Sequence, residues 1–530
     1  MNTSTQIISY ASTNSFSKIV TDYIDGNSAL LPFYKHPISI DGIKNAIDSR
    51  QAFKTNRKLL TEVLQQQYSS IELTPIQKNN LALLEQENCF TITTAHQPNI
   101  FTGPLYFIYK ILHAIKLATY CAAQLPQYNF VPVYYMGSED ADLEELNHIH
   151  INGEKYEWQT KQTGAVGRMK VDDNLLKLID SIGGQLLVQP YGNEIISALK
   201  NAYQLNSTIE QATFNFVNYL FSQYGLIILL PDNKLLKQSF ATVIKKELQE
   251  QFSHKAVAET VEALPTQYKV QASGRDLNLF YLRENKRERI EKVNAEWLVV
   301  NSTIRFNEEE LWDELKNYPE RFSPNVILRP VFQETILPNV AFIGGGGELA
   351  YWLELKKVFE AVNVPYPVLV LRNSFLLMDE QQQLLAAKLE LSSVDLFTTT
   401  TDLLTNLVKR ESDKQLQLQA EKQALQKVYD DIKKVISTID TSLLKHTDAL
   451  HTKAANKLTV LEKKMLKAEK KKFEAQKRQI EKIKKELFPK NNLQERVESI
   501  LPFYAKWGSG FIDVLHKYSL NMEQQFCILK

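Results

Sequence analysis

The strongest constraint on the fold is a change in composition near residue 380. Between residues 380 and 488 the chain contains no glycine, and the first proline after residue 380 is Pro489. Glycine and proline are the residues that most often end helices, so a stretch of this length without them predicts long helices. Upstream of it, short apolar runs alternate with amphipathic stretches. The chain therefore divides into an α/β part and a helical part.

The α/β part has the pattern of βαβ units. Its short apolar runs are rich in β-branched and aromatic residues and are bounded by turn formers. Alternation of such strands with helices predicts a parallel sheet with helices on both faces. We predict this core over residues 1–380, with insertions near residues 151–200 and 252–320. Strands are predicted at 90–94, 130–137, 225–230 and 326–328, and helices at 105–124, 215–224, 235–251 and 348–362.

The helical part has the spacing of a coiled coil, because its apolar residues recur in alternating steps of three and four. The apolar seam weakens between residues 437 and 451, which favours an antiparallel helical hairpin over a straight rod about 150 Å long. We predict the hairpin over residues 381–488 and a segment at 489–530 that docks on the core. The two apolar runs are Leu425, Val428, Ile432, Val435 and Ile439, and then Ala454, Leu458, Leu461, Met465 and Ala468.

The near-neutral charge of the chain is the sum of two opposite regions. There are 62 Lys plus Arg and 61 Asp plus Glu, a net charge of +1, yet residues 451–490 alone hold 14 basic residues and 5 Glu. The lysines there mostly occupy solvent positions of the heptads. This favours a solvated coiled-coil surface, so we expect neither a nucleic-acid nor a membrane partner.

Three features predict a cytoplasmic location. Cys89, Cys121 and Cys527 have no paired spacing, which argues against a disulfide framework. The N-terminal residues lack a basic region followed by an apolar core. The apolar runs are too short to span a bilayer.

The first candidate site follows the predicted strand at 90–94. His96, Gln97 and Asn99 lie in a polar loop, and Thr102 is placed to cap the next helix, which carries Lys110. Ligands of open α/β sheets bind beyond the carboxyl ends of the strands, so these side chains would face a crevice. The alternative is a polar loop whose only role is to cap the helix.

The second candidate site is an acidic cluster after the predicted strand at 130–137. Glu139, Asp140 and Asp142 fall within four residues and can bind an amine or supply a general base. The alternative is that Ser138 caps a helix whose first turn favours acids. The spacing of these acids to His148 matches no zinc or calcium loop, so no metal is predicted.

The third candidate site combines glycines with two arginines. Residues 344–347 are four consecutive glycines that open a predicted helix, and glycine there lets backbone N–H groups approach an anion. Neither a Walker A loop nor a G-x-G-x-x-G motif is present. Arg329 and Arg372 are predicted at strand ends, where they suit anionic ligands. The alternatives are a tight turn and two structural ion pairs.

At these motifs the sequence resembles the bacillithiol biosynthesis cysteine-adding enzyme family. The resemblance implies a Rossmann-type core with two connecting insertions, a C-terminal coiled coil and a homodimer. It also implies the last step of bacillithiol synthesis, in which the cysteine carboxyl forms an amide with the amine of glucosaminyl-malate. The similar stretches are 101–117 (FTGPLYFIYKILHAIKL), 138–148 (SEDADLEELNH), 276–290 (DLNLFYLRENKRERI), 322–351 and 493–498 (LQERVE).

Two departures from the family pattern affect the predicted site. Residues 95–99 read AHQPN where many relatives read GQQAG, and Ala141 stands where many have histidine between two aspartates. A catalytic imidazole at position 141 is therefore absent from this chain. His96, in the loop after the strand predicted at 90–94, is the histidine whose ability to compensate for this absence is left open by the sequence.

Amide formation in water needs an activated carboxyl, so we expect ATP on thermodynamic grounds although no nucleotide motif is present. The alternative is a non-catalytic, dimeric coiled-coil interaction protein whose α/β core binds a small ligand. For the ligase, the predicted catalytic residues are Glu139, Asp140, Asp142 and His96. The predicted substrate- or nucleotide-binding residues are Gln97, Asn99, Thr102, Gly103, Tyr106, Lys110, Ser138, Asn147, His148, Arg329, Gln333, Gly344, Gly345, Gly346, Gly347, Glu348, Tyr351 and Arg372.

Overall fold

The structure is a computed structural model that describes residues 4–272 and 274–530. The chain forms two compact units. The first comprises the chain up to Leu376 together with Asn492–Leu529, and the second comprises Leu377–Asn491. The strands are β1 (Thr5–Ser9), β2 (Cys89–His96), β3 (Asn129–Met136), β4 (His148–Ile151), β5 (Glu154–Glu157), β6 (Ile227–Leu229), β7 (Leu279–Arg283), β8 (Lys286–Val293), β9 (Glu296–Val299), β10 (Arg305–Phe306), β11 (Phe322–Pro324), β12 (Asn339–Gly344), β13 (Val368–Leu371), β14 (Phe375–Leu377) and β15 (Gln525–Leu529).

Helices surround the sheets of the first unit and make up the second unit. In the described part of the chain, none of them is long and apolar enough to cross a membrane. The helices are α1 (Lys18–Ile24), α2 (Ile40–Gln51), α3 (Arg57–Gln67), α4 (Pro75–Leu83), α5 (Tyr106–Gln124), α6 (Leu143–Leu146), α7 (Asp173–Leu186), α8 (Gly192–Ala202), α9 (Ile209–Phe221), α10 (Lys234–Ser239), α11 (Ala241–Glu250), α12 (Phe252–Ala263), α13 (Glu308–Asn317), α14 (Leu328–Ile336), α15 (Gly346–Leu353), α16 (Lys356–Ala361), α17 (Glu380–Lys388), α18 (Thr400–Glu411), α19 (Gln419–Ser437), α20 (Leu444–Lys470), α21 (Glu474–Leu487), α22 (Leu501–Trp507) and α23 (Ser509–Tyr518).

A five-stranded sheet with the order β13-β12-β2-β3-β6 forms the centre of the first unit, and all of its pairs are parallel. Numbered along the chain, this is the doubly wound order, with a switch point between β2 and β12. Strand β2 is buried on both faces, as expected for a parallel sheet covered by helices. Side chains of α2 and α5, such as Ile43 and Leu117, pack on Ile92. The predicted Rossmann-like core is confirmed.

Several predicted elements are corrected by the structure. Residues 326–328 are not a strand, because the Asn325 side chain accepts hydrogen bonds from the backbone of Ile327 and Leu328 and α14 begins there. The sheet position is taken by β12 instead. The helix predicted over 235–251 divides at Phe240 into α10 and α11. The helix predicted over 215–224 is α9, which begins six residues earlier at Ile209.

The regions expected to be insertions form layers of their own. Residues 151–200 include the end of the β4–β5 hairpin and helices α7 and α8. Residues 252–320 contribute α12, α13 and most of an antiparallel sheet with the order β10-β9-β8-β7-β11. The C-terminal strand β15 pairs antiparallel with β1, so the segment from Asn492 onward belongs to the same compact unit as the parallel sheet.

The second unit contains an antiparallel hairpin of α19 and α20. Ion pairs join Lys422 to Glu462 at 2.6 Å and Lys433 to Asp448, and the rings of Tyr429 and His451 lie 5.1 Å apart. The turn between the helices lies at residues 438–443, inside the region where the apolar seam weakens. The predicted seam residues beyond Leu425, in α19 and in the turn that follows it, form an exposed apolar stripe: Val428 (54%), Ile432 (39%), Val435 (61%) and Ile439 (75%).

Candidate active site

A cavity of about 990 Å³ lies at the carboxyl ends of the parallel strands. Each of the five strands contributes a residue at or just beyond its end. His96 ends β2, and Gly137, Pro231, Gly345 and Arg372 follow β3, β6, β12 and β13. This is the edge of the sheet at which open α/β folds bind their ligands. The antiparallel sheet supplies a further wall through Phe280 and Arg287.

The structure places about half of the predicted site residues in the cavity wall. Lys110 is not itself in the wall, but its ammonium group pairs with the Glu348 carboxylate at 2.6 Å. Predicted residues in the wall are His96, Gln97, Tyr106, Glu139, Asp140, Arg329, Gly345, Gly346, Gly347, Glu348, Tyr351 and Arg372. Predicted residues outside the wall are Asn99, Thr102, Gly103, Lys110, Ser138, Asp142, Asn147, His148, Gln333 and Gly344.

The cap predicted at Thr102 is wrong, and so is the alternative in which Ser138 caps the helix after β3. Helix α5 begins at Tyr106 without a side-chain cap, and Thr102 lies in the preceding turn with φ of 71°. Helix α6 is capped by Asp142, whose carboxylate accepts a hydrogen bond from the Glu145 backbone at 3.3 Å. Asp142 is exposed and points its charge at the helix end, so it is separated from the cavity.

His96 is held as a neutral imidazole. Its ring packs against the rings of Tyr106 and Phe107, with centroids 5.4 and 5.3 Å away. Burial lowers the pKa of His96 well below its usual value, and the cations Lys110, Arg372 and Arg329 lower it further. Its Nε2 atom is buried and has no hydrogen-bond partner within the described residues. That nitrogen is therefore free to bind a polar group of a ligand.

Two of the four acids in the cavity wall, Glu139 and Asp140, have different surroundings. Glu139 is buried and ion-paired with Lys237, which also donates to the Phe322 carbonyl at 2.9 Å. Burial raises the pKa of Glu139, and Lys237 acts against that rise. Asp140 is half-buried, and its carboxylate accepts hydrogen bonds from Gln97 Nε2 at 3.0 Å and from the Ala141 backbone at 2.7 Å. Asp140 is thus the more accessible of these two acids, which both follow β3.

The cavity wall holds more arginine than its acids neutralise directly. Three of the arginines stack on aromatic rings: Arg287 lies 4.0 Å from the Phe280 centroid, Arg372 5.2 Å from Tyr106 and Arg329 5.7 Å from Tyr135. Of the arginines in the wall, Arg372 alone has a carboxylate within 4 Å in the described structure, that of Glu495. The arginines without one are Arg275, Arg287, Arg329 and Arg496.

The glycine loop brings β12 and α15 into close contact. A Cβ atom on Gly344 would lie 2.6 Å from Leu349 Cδ1, so a larger residue there would require neighbouring side chains to move. The Gly345 N–H already donates to the Glu348 carboxylate at 2.8 Å. The first-turn N–H groups of Gly346 and Gly347 have no intrahelical acceptors, because they precede the first i to i−4 bond. They and Arg329 fit the phosphate oxygens of a nucleotide.

Matches to family models extend over nearly the whole chain. The model of the bacillithiol biosynthesis BshC N-terminal Rossmann-like domain matches residues 3–373, and that of the BshC C-terminal coiled-coil domain matches residues 375–530. The chain belongs to the BshC family. A Flavobacterium johnsoniae protein named "Putative cysteine ligase BshC" is 38% identical over 527 residues, covering 99% of each chain. A Bacillus mycoides protein of the same name is 24% identical over 530 residues, covering 97% of this chain and 98% of its own.

Sequence reasoning missed several residues of this BshC site. Arg287 and Arg496 lie in the stretches 276–290 and 493–498, which carry the family resemblance. That resemblance was the signal that could have identified them as site residues. Lys237 lies in a helix far along the chain from Glu139, and nothing local indicates their contact. Among the described residues, no group of three or more His, Cys, Asp or Glu side chains is placed to hold a metal ion.

Proposed function

We propose that this BshC protein joins the carboxyl group of cysteine to the amine of glucosaminyl-malate, forming the amide bond that completes bacillithiol. The observation that carries the proposal is the combination of unpaired arginines with accessible carboxylates in one cavity. Glucosaminyl-malate carries two carboxylates and an amine, and cysteine carries one of each. A wall with both cationic and acidic groups is complementary to this pair of substrates.

Residues of different charge have different roles in the proposed reaction. Arg329, whose Nη2 donates to the Tyr351 hydroxyl at 3.0 Å, binds an anionic phosphate of the nucleotide with its remaining N–H groups. Asp140, held by Gln97, orients the amine of glucosaminyl-malate and accepts its proton. Neutral His96 accepts a hydrogen bond at Nε2 and adds no charge against the ammonium group.

ATP is the co-substrate in this proposal. When bound, it supplies the chemistry that activates the cysteine carboxyl toward the amine. Arg329 and the N–H groups of Gly346 and Gly347 would hold its phosphates. The Glu348 carboxylate already accepts a hydrogen bond from the Gly345 N–H and pairs with the Lys110 ammonium. The N–H groups that remain for an anion are therefore those of the first turn of α15.

The proposal is tested by incubating the purified protein with cysteine, glucosaminyl-malate and ATP, and detecting bacillithiol by mass spectrometry. We expect product in the complete mixture and none when either substrate or ATP is omitted. Formation of product without ATP would refute the role of ATP as co-substrate. Absence of product, together with normal bacillithiol in a strain that lacks the gene, would refute the ligase and favour a ligand-binding interaction protein.

Two aspartates of one motif allow a matched test of the site. Asp140→Asn removes the proposed base from the cavity, so we expect kcat to fall about 100-fold or more. Asp142→Asn keeps an N-cap residue on α6 outside the cavity, so activity should stay within about twofold of wild type. Equal losses in the two variants would contradict the assignment of Asp140.

We also propose that the protein is a homodimer held by its helical unit. The coiled-coil family match and the exposed apolar stripe of α19 and the turn after it support this. The hairpin leaves Val435 and Ile439 exposed, and a second copy of the same stripe would cover them.

A further inference from the structure

The chain returns to the cavity after its excursion through the helical unit. Asn492 and Arg496 both line the cavity wall. The returning segment is tied to the core by backbone hydrogen bonds, from Leu105 to the Glu498 carbonyl at 2.8 Å and from Ser499 to the His150 carbonyl at 2.9 Å. The position of Arg496 is therefore fixed relative to the parallel sheet.

Glu495 of this segment is buried and forms an ion pair with Arg372. Its carboxylate accepts from Arg372 Nη2 at 2.8 Å, from Ser374 Oγ at 3.1 Å and from the Phe375 backbone at 3.2 Å. Arg372 Nη1 donates to the Asn373 carbonyl and to Ser374 Oγ, each at 3.0 Å. The Nε group of Arg372 has no acceptor in the described structure and faces the start of α15, 3.7 Å from where a Gly345 Cβ would lie.

Arg496 stands beside this pair without a partner of its own. It is exposed on the cavity wall, and no acidic oxygen of the described residues lies within 4 Å of its guanidinium. Partial burial and the nearby Arg372 both lower the pKa of Arg496. Two neighbouring guanidinium groups, of which only Arg372 is paired with the Glu495 carboxylate, leave an excess positive charge that a bound anion would neutralise.

We propose that Arg372 and Arg496 together form the subsite for the malyl carboxylates of glucosaminyl-malate, with Glu495 positioning Arg372. The inference rests on the proposed ligase function and assigns the specificity of its site. Arg496 offers a complete planar fork for one carboxylate, and Arg372 offers its Nε group for the second. Phosphate groups bind Arg side chains in the same way, so the test must separate the two sources of anion.

The test uses the full-length protein with Arg496→Gln, Arg496→Lys and the control Arg305→Gln, whose arginine is exposed on the antiparallel sheet away from the cavity. The KM for glucosaminyl-malate, cysteine and ATP is measured for each variant, and calorimetry gives the Kd for glucosaminyl-malate. Glucosaminyl-lactate, which lacks one carboxylate, is the matched ligand. Melting temperatures check that all variants fold.

We expect Arg496→Gln to weaken glucosaminyl-malate about tenfold or more and to leave the KM for cysteine and ATP within twofold. Arg496→Lys should lie between Arg496→Gln and wild type, because it keeps the charge and loses the fork. Glucosaminyl-lactate should be bound about equally by wild type and Arg496→Gln. Such non-additivity identifies a direct contact.

Three outcomes would overturn the subsite. They are an unchanged affinity for glucosaminyl-malate in Arg496→Gln, a selective rise in the KM for ATP, and a wild-type protein that does not bind glucosaminyl-malate. A wild-type protein that binds glucosaminyl-malate and forms no amide would refute the ligase alone. The calorimetric comparison of wild type with Arg496→Gln would then still decide the subsite.

Discussion

At the scale of single residues, three buried histidines link stability to pH. Burial lowers the pKa of His36 and His113 to about 4 and that of His96 well below its usual value. The unfolded chain binds protons at these side chains near pH 6.5, so their contribution to stability is complete above pH 6.5 and is lost as the pH falls toward their folded pKa. Acid therefore acts on the unit that holds the candidate site.

We expect the free energy of unfolding to be lower at pH 5.5 than at pH 7.5, by about 1.4 kcal/mol for each of His36 and His113, whose pKa values are about 4. Urea denaturation followed by tryptophan fluorescence measures this decrease in the first unit, since all five Trp residues lie there. His36→Gln should reduce the decrease by about 1.4 kcal/mol. His36→Gln is compared with the control His254→Gln, which replaces a side chain that is 42% exposed. An undiminished decrease in His36→Gln would contradict the argument.

At the scale of elements, a buried ion pair fastens α2 to α14. Arg50 Nη2 lies 2.7 Å from the Glu334 carboxylate, and both side chains are almost completely buried. Arg50 Nε also donates to the Asn339 carbonyl at 3.0 Å, at the start of β12. Arg50→Met should cost about 3–5 kcal/mol in the free energy of unfolding, because it leaves Glu334 charged and unpaired.

The double variant Arg50→Met, Glu334→Leu provides the control for this ion pair. Replacing both partners with apolar side chains removes the buried charge, so most of the loss should be recovered. Arg305→Met, at a side chain that is 67% exposed, should cost less than about 0.5 kcal/mol. The same urea transition reports all three variants. A double variant as unstable as Arg50→Met would show that packing dominates.

The exposed apolar stripe of α19 and the turn after it leads to a second prediction at the scale of elements. Lysine at Val435 and Ile439 places charge in the proposed dimer interface, so Val435→Lys, Ile439→Lys should sediment as a monomer while wild type sediments as a dimer. Leu384→Lys, an equally drastic change at a side chain that is 65% exposed on α17, should leave the dimer intact. A wild-type monomer in sedimentation velocity would contradict the proposal.

At the scale of the whole molecule, the described structure buries every thiol of the chain. Cys89, Cys121 and Cys527 are buried, and burial raises the pKa of each to about 12. Thiolate is the reactive form, so these residues resist thiol exchange. We expect no reaction of the native protein with Ellman's reagent within minutes and three equivalents after unfolding. Rapid labelling of one thiol in the native state would contradict this burial.

Local patterns predicted most elements of the fold but not all. The alternation of strands and helices, the hairpin and the loops after β2 and β3 follow from periodicity and turn formers within about 20 residues. The strand predicted at 326–328 is wrong because the Asn325 side chain accepts a hydrogen bond from the backbone of Ile327, and α14 begins there instead. Strand β12 was missed because its apolar run is short and continues directly into the glycine loop.

By itself, the sequence determined the two-part organisation and which loops could form a site, because hydrophobic periodicity and turn chemistry act between neighbours in the chain. Only the tertiary structure decided which charges are paired. Arg372 and Glu495 are 123 residues apart in sequence yet 2.8 Å apart in space, whereas Arg496 has no acid within 4 Å in the described residues. Burial and long-range contacts set the strength of an ion pair, and neither is encoded in local spacing.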